Sequence, residues 1–559
     1  MTRWHRLLPF LHWPRPDAAL LRNEALAGLT VGLMVIPQGV AYAALAGMPL
    51  ITGIYAALLP ALIAVLFSAS PRLSVGPTAL TCLLVSASLT PLATPGSADW
   101  VQLAVWLALL SGVLQVLLGL VRYGWLLNLV NSPVLMAFTQ AAAVLIIASQ
   151  LPALTGFRSW HAIAEQAGWH APGLAFGLLS LAALIGVRRL RPGFPSVLAV
   201  VLISAGVSRA IGFEAGGGAV IGTLPQGLPA PFLPGWPGWE TLGGLVLPTL
   251  MITLVSFLET ASSAKVDNAR QGRRWNQDQD LIGQGLAKLA AGFSGAMPTS
   301  SSFSRSALNL YAGARTGWAT VFSVVVVAVA LLVAMPLLHH VPLAVLAAIV
   351  VLPVWGLLQP ASFVRLWRLS RVEAVIAGAT FAITLLAAPR LYWGVLAGVV
   401  MALTHFLYLR LHPRIIEVGL HPDGSLRDRH LWQLPPLAPR LYALRMDAAL
   451  DFATANALER AVAEQLQVYP GTQHVLLIAH PINWIDATGA EAFGRLREQL
   501  DDRRVHLHLV GVKLPVERVL AAAGHLDPNE RLHLYRTETE ALQAIAGGAL
   551  VGPGHAPTN

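Results

Sequence analysis

From Glu24 to about Arg410 the chain alternates long apolar runs with short polar connections. The runs fall near residues 25–48, 52–69, 73–91, 100–121, 124–150, 172–187 and 196–212. A second set falls near 241–264, 281–296, 299–314, 316–338, 342–360, 371–389 and 391–411. A full helical crossing takes about 20 residues, and several runs are shorter. The pattern predicts an α-helical polytopic membrane protein with 14 transmembrane segments, seven plus seven, over residues 24–411. Residues 1–23 then form an N-terminal cytoplasmic segment.

Two runs are interrupted by the same small-residue signature. One reads Ser74-Val75-Gly76-Pro77-Thr78 and the other Ala296-Met297-Pro298-Thr299-Ser300. Irregular backbone at membrane depth is tolerated only where protein buries it or where it lines a water-filled cavity. Matching interruptions in the two halves of a membrane protein point to a transporter's binding site.

Beyond Arg410 the period changes. Residues 412–440 are rich in Pro, His, Asp and Arg and read as a linker with one strand. Strands are expected at Leu441–Met446, His474–His480, Val505–Val510 and Arg531–Tyr535. Helices are expected at Ala453–Tyr469, Ala487–Leu500 and Pro515–Ala523. Such alternation implies a small sheet with helices packed on it, over residues 441–547. Residues 548–559 read as a disordered tail.

Composition sharpens this reading. Of 559 residues, 55% are hydrophobic and only 12% charged, too apolar for one soluble core. The net charge of +9 sits largely in Arg residues of alternate connections, so it carries topology rather than a nucleic-acid footprint. Arg3, Arg6, Arg15 and Arg22 precede the first run; Arg72, Arg122 and Arg188-Arg189-Arg191 follow even-numbered ones. Lys265 with Arg270, Arg273 and Arg274, then Arg315, then Arg365, Arg368 and Arg371, continue the series. The opposite connections 92–100 and 213–240 hold no Lys or Arg; Arg158 and Arg390 break the pattern. Both termini are expected in the cytoplasm, with the chain in the inner (plasma) membrane. No small-residue cleavage site closes a signal peptide. One cysteine, Cys82, excludes an intrachain disulfide and a cysteine-based metal cluster.

The segments resemble the SulP family of anion permeases. The resemblance rests on Ala27-Gly28-Leu29-Thr30-Val31-Gly32 through Ile36-Pro37-Gln38-Gly39-Val40-Ala41-Tyr42-Ala43, on Gly53-Ile54-Tyr55, and on Leu73-Ser74-Val75-Gly76-Pro77. Phe303-Ser304-Arg305-Ser306-Ala307-Leu308-Asn309 with Ala312-Gly313-Ala314-Arg315-Thr316 adds to it. Ile485-Asp486-Ala487-Thr488-Gly489 resembles the Asp-Ser/Thr-Gly loop of the STAS domain that such permeases carry. Ser70-Pro71-Arg72 and Lys288 depart from the family's habits. The resemblance implies a uracil-transporter-like inverted repeat, a core domain rocking against a gate domain, and a homodimer.

The candidate chemistry follows. Half-helices beginning at Thr78 and Ala79, and at Thr299, Ser300, Ser301 and Ser302, would present unpaired N–H groups and positive dipole ends to an anion. Pro and Ser could instead serve only to kink and pack helices. Arg305, about two turns into its run, costs about 2.5–3.5 kcal/mol there unless it serves an anion, pairs structurally or snorkels. Glu259 is the acidic residue of Thr253-Leu254-Val255-Ser256-Phe257-Leu258-Glu259-Thr260, a candidate for carrying a coupling proton (or sodium), or for pairing with Lys265, Lys288 or Arg305. Gln38 and Tyr42, four apart, share a helix face, for binding or for packing. Thr488 reads as a helix N-cap, or by resemblance as a phosphorylated regulatory residue that alters docking of a cytoplasmic partner.

His339-His340 and His480 show no recognised ligand spacing, and no metal or cofactor is expected. Nor does an ATP-binding or catalytic motif appear, so gradients rather than an enzymatic step should drive transport. The leading expectation is a proton-coupled carrier of small oxyanions, sulfate by family default, with bicarbonate or dicarboxylate open. Sodium-coupled bicarbonate transport, uncoupled exchange or conduction, and a STAS-signalling scaffold are the other readings.

Overall fold

The computed structural model describes residues 8–129, 131–157, 171–190, 195–527 and 529–548. Arg3, Arg6, Arg158, Arg191 and the expected tail from 549 onward lie outside them. The chain divides into two compact units between Ala402 and Leu403, a boundary inside the helix Tyr392–Leu411, which is described with the first.

In the first unit, α1 (Ala18–Leu45) is followed by a short α2 (Thr52–Tyr55) and α3 (Leu59–Phe67). The two-residue strand β1 (Val75–Gly76) leads into α4 (Ala79–Leu89), then α5 (Ala98–Leu120), α6 (Ser132–Leu154), α7 (Ala171–Leu190) and α8 (Ser196–Ala210). The second half repeats the theme. Long helices α9 (Trp239–Arg270) and α10 (Gln277–Phe293) precede β2 (Ser300–Ser301) and α11 (Phe303–Tyr311). After these come α12 (Trp318–Val333), α13 (Leu343–Trp355), α14 (Pro360–Leu369), α15 (Arg371–Leu386) and α16 (Tyr392–Leu411). By length and composition, six helical stretches among the described residues can cross a membrane, starting at Ala18, Ala98, Ser132, Trp239, Leu343 and Tyr392. Shorter apolar helices lie between them.

The helices fall into two packing sets. Helix α10 packs on α5 and α3, α12 on α1, and α9 on α4 and α5. In the other set α13 packs on α6 and α7, and α15 on α6, and α13 also meets α1 of the first set. Small residues allow the closest crossings, as is usual where lipid tails compete with side chains for apolar contact. At the α5–α10 crossing a Cβ on Gly112 would lie 2.8 Å from the Gly285 carbonyl, and one on Gly285 2.7 Å from the Gly112 carbonyl. Only hydrogen fits there. Helix α12 is held at its head by a remote residue: the fully buried Glu24 carboxylate accepts the amides of Arg315, Thr316 and Ala319 at 2.8, 2.9 and 2.8 Å. One orphan N–H of the helix start, that of Ala319, and two amides of the turn leading into it are thereby satisfied.

The residues 360–369, expected as part of an apolar run and a basic connection, form the separate α14. It starts at Pro360, a residue suited to a first helical turn, and places Arg365 and Arg368 beside the exposed Trp367 and Leu369.

The second unit is a six-stranded sheet, in the order β4 (Leu426–Asp428), β3 (Ile415–Leu420), β5 (Leu441–Met446), β6 (His474–Ile478), β7 (His506–Val510) and β8 (Leu532–Tyr535). Strands β5 to β8 are parallel, and β3 is antiparallel to both neighbours. Helices α17 (Ala455–Val468), α18 (Ala487–Asp502) and α19 (Leu514–Ala522) bury one face through Leu458, Phe493 and Leu520. Helix α20 (Glu538–Gly548) covers the other through Ala541 and Ile545.

Residues 412–440 are therefore not a linker. Ile416 and Val418 alternate into the second face, and Arg414–Asp428 and Arg429–Glu417 pairs close the β3–β4 hairpin. Abundant charge disguised a half-buried strand pair.

Candidate functional site

The two interruptions meet. Val75 pairs with Ser301 and Gly76 with Ser300 in an antiparallel ladder, which the Ser302 amide extends to the Ser74 carbonyl at 2.9 Å. Proline explains the break in each case: Pro77 and Pro298 lack the amide a continuous helix requires. Extended backbone in a membrane must find partners, and each interruption supplies them to the other.

Helix α4 starts from Thr78 as N-cap, its hydroxyl accepting the Thr81 amide at 3.4 Å. Helix α11 starts from Ser302 in the same way, accepting the Arg305 amide at 3.4 Å. Among the described residues, the amides of Ala79 and Leu80, and of Phe303 and Ser304, find no partner. Both helix heads thus offer free N–H groups beside one short ribbon.

Arg305 is not two turns deep. Residues 299–302 are extended or capping, so Arg305 is the third residue of α11. A cation in a first turn opposes the helix dipole, and its cost is met by specific partners. Nη1 donates to the Pro77 carbonyl at 2.9 Å and Nε lies 3.4 Å from Ser74 Oγ. Nη2 is buried with no partner among the described residues. A Cβ on Gly76 would sit 3.2 Å from that nitrogen, so glycine leaves the space in front of it open.

Glu259 does not pair with Lys265, Lys288 or Arg305: among the described residues no ion pair joins it to any of them. Its Oε2 accepts from Thr78 Oγ1 at 2.9 Å and from Thr81 Oγ1 at 3.3 Å, which sets it at the head of α4. Of the four hydroxyls in 299–302, Ser300 donates to the Ser256 carbonyl at 3.0 Å, and Ser301 accepts from Gln284 Nε2 at 3.4 Å. Thr299 Oγ1 is buried without a partner among the described residues. On α1, Gln38 and Tyr42 are buried and Gln38 Oε1 likewise has no partner among the described residues; α1 packs against both α4 and α11.

Lys288 gains a definite environment. Fully buried on α10, its Nζ donates at 2.7 Å to Gln115 Oε1 and at 2.7 Å to Ser256 Oγ. Both acceptors are neutral, and among the described residues no carboxylate is paired with this amine. Gln115 and Ser256 carried no signal in the sequence beyond being polar in apolar runs. The Ser256 carbonyl also receives Ser300, which ties this lysine to the ribbon through one residue.

Below the ribbon, the Ser70-Pro71-Arg72 segment is firmly anchored. Asp280 accepts from Ser70 N at 3.0 Å, Ser70 Oγ at 2.7 Å and Trp275 Nε1 at 2.7 Å. Arg72 pairs with the buried Asp267.

In the second unit, Thr488 is not the helix cap. Asp486 takes that position, accepting the Gly489 amide at 2.8 Å, and Thr488 is an exposed second residue of α18. Gly489 abuts the Leu450 carbonyl so closely that no side chain fits.

The pattern that defines the sulfate permease family matches residues 21–380, and that of the STAS domain matches residues 436–541. A probable sulfate transporter of Mycobacterium tuberculosis is 32% identical over 94% of this chain and 95% of its own. The chloroplastic sulfate transporter 4.1 of Arabidopsis thaliana is 29% identical over 93% of this chain and 80% of its own. In fold, the chain is similar to the murine Solute Carrier 26 family member A9 anion transporter, at a TM-score of 0.86 and 20% identity. That similarity covers 97% of this chain and 94% of the other.

Proposed function

The chain belongs to the sulfate permease family, and on that premise we propose that it carries a small oxyanion across the membrane by alternating access, coupled to a proton at Glu259. The observation that carries the reading is the buried, unpartnered Arg305 Nη2 facing the gap left by Gly76 beside two helix heads. A lone donor in a buried site forfeits about 1–3 kcal/mol unless something fills it. An oxyanion there would receive the guanidinium, the free amides of Ala79, Leu80, Phe303 and Ser304, and the Thr299 hydroxyl. Arg305 and Lys288 against one carboxylate, Glu259, leave the region net cationic. Gln38 and Tyr42 close it from α1.

Sulfate is the preferred cargo, since relatives that match along most of both chains are named sulfate transporters. Bicarbonate and dicarboxylates share the charge and the oxygen acceptors. Glu259 accepts hydrogen bonds from Thr78 and Thr81, the residues that start α4, so a proton arriving there would alter the very helix head that faces the anion. In this reading the two packing sets are the core and gate of a seven-plus-seven inverted repeat. The protein works as a homodimer in the plasma membrane with both termini cytoplasmic. Thr488, exposed at a helix start, would receive a regulatory phosphate that changes partner docking.

Uptake of labelled sulfate, bicarbonate and succinate into proteoliposomes, with and without an inward proton gradient, tests the reading. Proton-stimulated uptake of one anion is expected, with stimulation lost in Glu259→Gln and binding lost in Arg305→Ala. Uptake indifferent to the gradient would discard symport and leave sodium coupling, exchange or conduction. No uptake or ligand-induced stabilisation with any oxyanion would favour a scaffold.

A further inference from the structure

We propose that Glu214, His339 and His340 form a binding site for a divalent transition-metal ion of the Zn2+ class. The three side chains come from two connections 125 positions apart in sequence, one after α8 and one between α12 and α13. Their ligand atoms all lie within 4.8 Å of one another. His339 Nε2 and His340 Nδ1 each stand 3.4 Å from the same carboxylate oxygen, Glu214 Oε2.

That distance discriminates between two explanations. An imidazole N–H donating to a carboxylate settles at about 2.7–2.9 Å, and 3.4 Å is too long for a strong hydrogen bond. Two ligands on one tetrahedral zinc, each about 2.0–2.1 Å from the ion, are separated by about 3.3–3.4 Å. Two of the three separations thus match the edges of a tetrahedral coordination polyhedron, and the third lies within 4.8 Å. Two imidazoles and one carboxylate suit zinc, copper or nickel rather than calcium or magnesium, which prefer oxygen alone. Three protein ligands leave a fourth position for water.

Both sides of the site are already held by backbone. Gly222 N donates to the His339 carbonyl at 3.0 Å, Ile221 N to the Val341 carbonyl at 2.9 Å, and Leu343 N to the Ala219 carbonyl at 2.9 Å. On the other side, Gly217 N donates to the Glu214 carbonyl at 3.0 Å. His339 has helical backbone angles, which turn its ring away from that of His340; the two rings stand 72° apart with centroids at 4.6 Å. An ion would therefore enter a site whose chain is already set, losing little ordering entropy.

Position gives the site a consequence. The His339-His340 pair lies on the connection between α12, which packs on α1, and α13, which packs on α6 and α7. That connection joins one packing set to the other. Metal there would brace it against the Glu214 loop and slow any movement of one set past the other.

The test uses the full-length protein purified through a tag without histidine. Zn2+ titration by calorimetry, with the number of bound equivalents, is compared for wild type, His339→Ala, His340→Gln and Glu214→Gln. One micromolar equivalent should vanish in either His variant and weaken at least tenfold in Glu214→Gln, while equivalents bound elsewhere persist. Co2+ gives a second readout that needs no variant: the wild type should develop the intense visible absorption of a low-coordinate nitrogen-ligated ion. Equal stoichiometry and affinity in all four proteins, or a Co2+ spectrum of weak octahedral type only, would overturn the proposal. Anion uptake without metal, measured on the same preparations, shows that the variants are folded.

Discussion

Acid should unfold the second unit through one histidine. His508, the central residue of β7, is buried, and burial pushes its imidazole down from 6.5 to about 3. The neighbouring His533, His474 and His506 rings add to the effect, and His474 and His533 are themselves lowered by burial. His474 Nδ1 lies 3.1 Å from His508 Nε2, and His508 Nδ1 lies 3.3 Å from the Tyr535 hydroxyl. A second proton on His508 would place a buried charge among neighbouring imidazoles, with no carboxylate paired to it among the described residues. The folded state binds its proton only near pH 3, whereas the unfolded chain binds it near 6.5. Stability is therefore complete above about 6.5 and is lost as the pH falls from there toward the folded value. At pH 5 the difference is about 2 kcal/mol from His508 alone, or about a thirtyfold change in the unfolding equilibrium. Hydrogen exchange of the full-length protein, followed by mass spectrometry over residues 505–511, reads this directly. After correction for intrinsic rates, protection should fall about thirtyfold between pH 7.5 and pH 5. In His508→Leu the fall should shrink to the part owed to His474 and His533. Unchanged wild-type protection at pH 5, or an identical fall in the variant, would refute the reasoning.

Three further outcomes follow from the first unit. Glu24→Ala leaves three buried amides without an acceptor and should cost on the order of 3 kcal/mol or more, seen as a lower melting temperature in detergent. Glu24→Gln should recover part of this loss; no change in Glu24→Ala would remove the capping role. Gly285→Val drives side-chain carbons into the Gly112 backbone and should abolish monodisperse expression. Gly378→Val on α15, which meets nothing within 4 Å, should express normally, and equal behaviour of the two would contradict the crossing geometry. Lys288→Met should preserve folding, because Gln115 Nε2 and Ser256 Oγ keep their own 3.1 Å bond, yet reduce anion uptake. Undiminished uptake at matched protein levels would take Lys288 out of the site's electrostatics.

What could be read in advance depended on how far apart the interacting residues lie. The interruptions were legible because Pro77 and Pro298 forbid a continuous helix locally. That they pair with each other could not be, since Val75 and Ser301 are far apart and two residues per strand leave no alternation to detect. Arg305 was set too deep for the same reason: Thr299 to Ser302 read as helix when their partner is unknown. Strands β5 to β8 were visible through continuous apolar runs, whereas β3 offers only Ile416 and Val418 amid charge. Asp486 rather than Thr488 caps α18 because its side chain, one place outside the helix, reaches the Gly489 amide. Helix α14 was hidden by its charge: Arg365 and Arg368 made the residues after 360 read as a connection rather than a helix.

The ribbon of Val75–Gly76 and Ser300–Ser301 is also a frame of reference. Side chains on an extended strand change face at every residue, so a slip of one position in either interruption would turn the whole constellation over. Gly76 would leave its place before the guanidinium, and a bulkier neighbour would take it. Insertions and deletions here should therefore be far less tolerable than substitutions, even though both segments consist of the smallest and most replaceable residues in the chain. Their length, more than their chemistry, is what the molecule cannot give up.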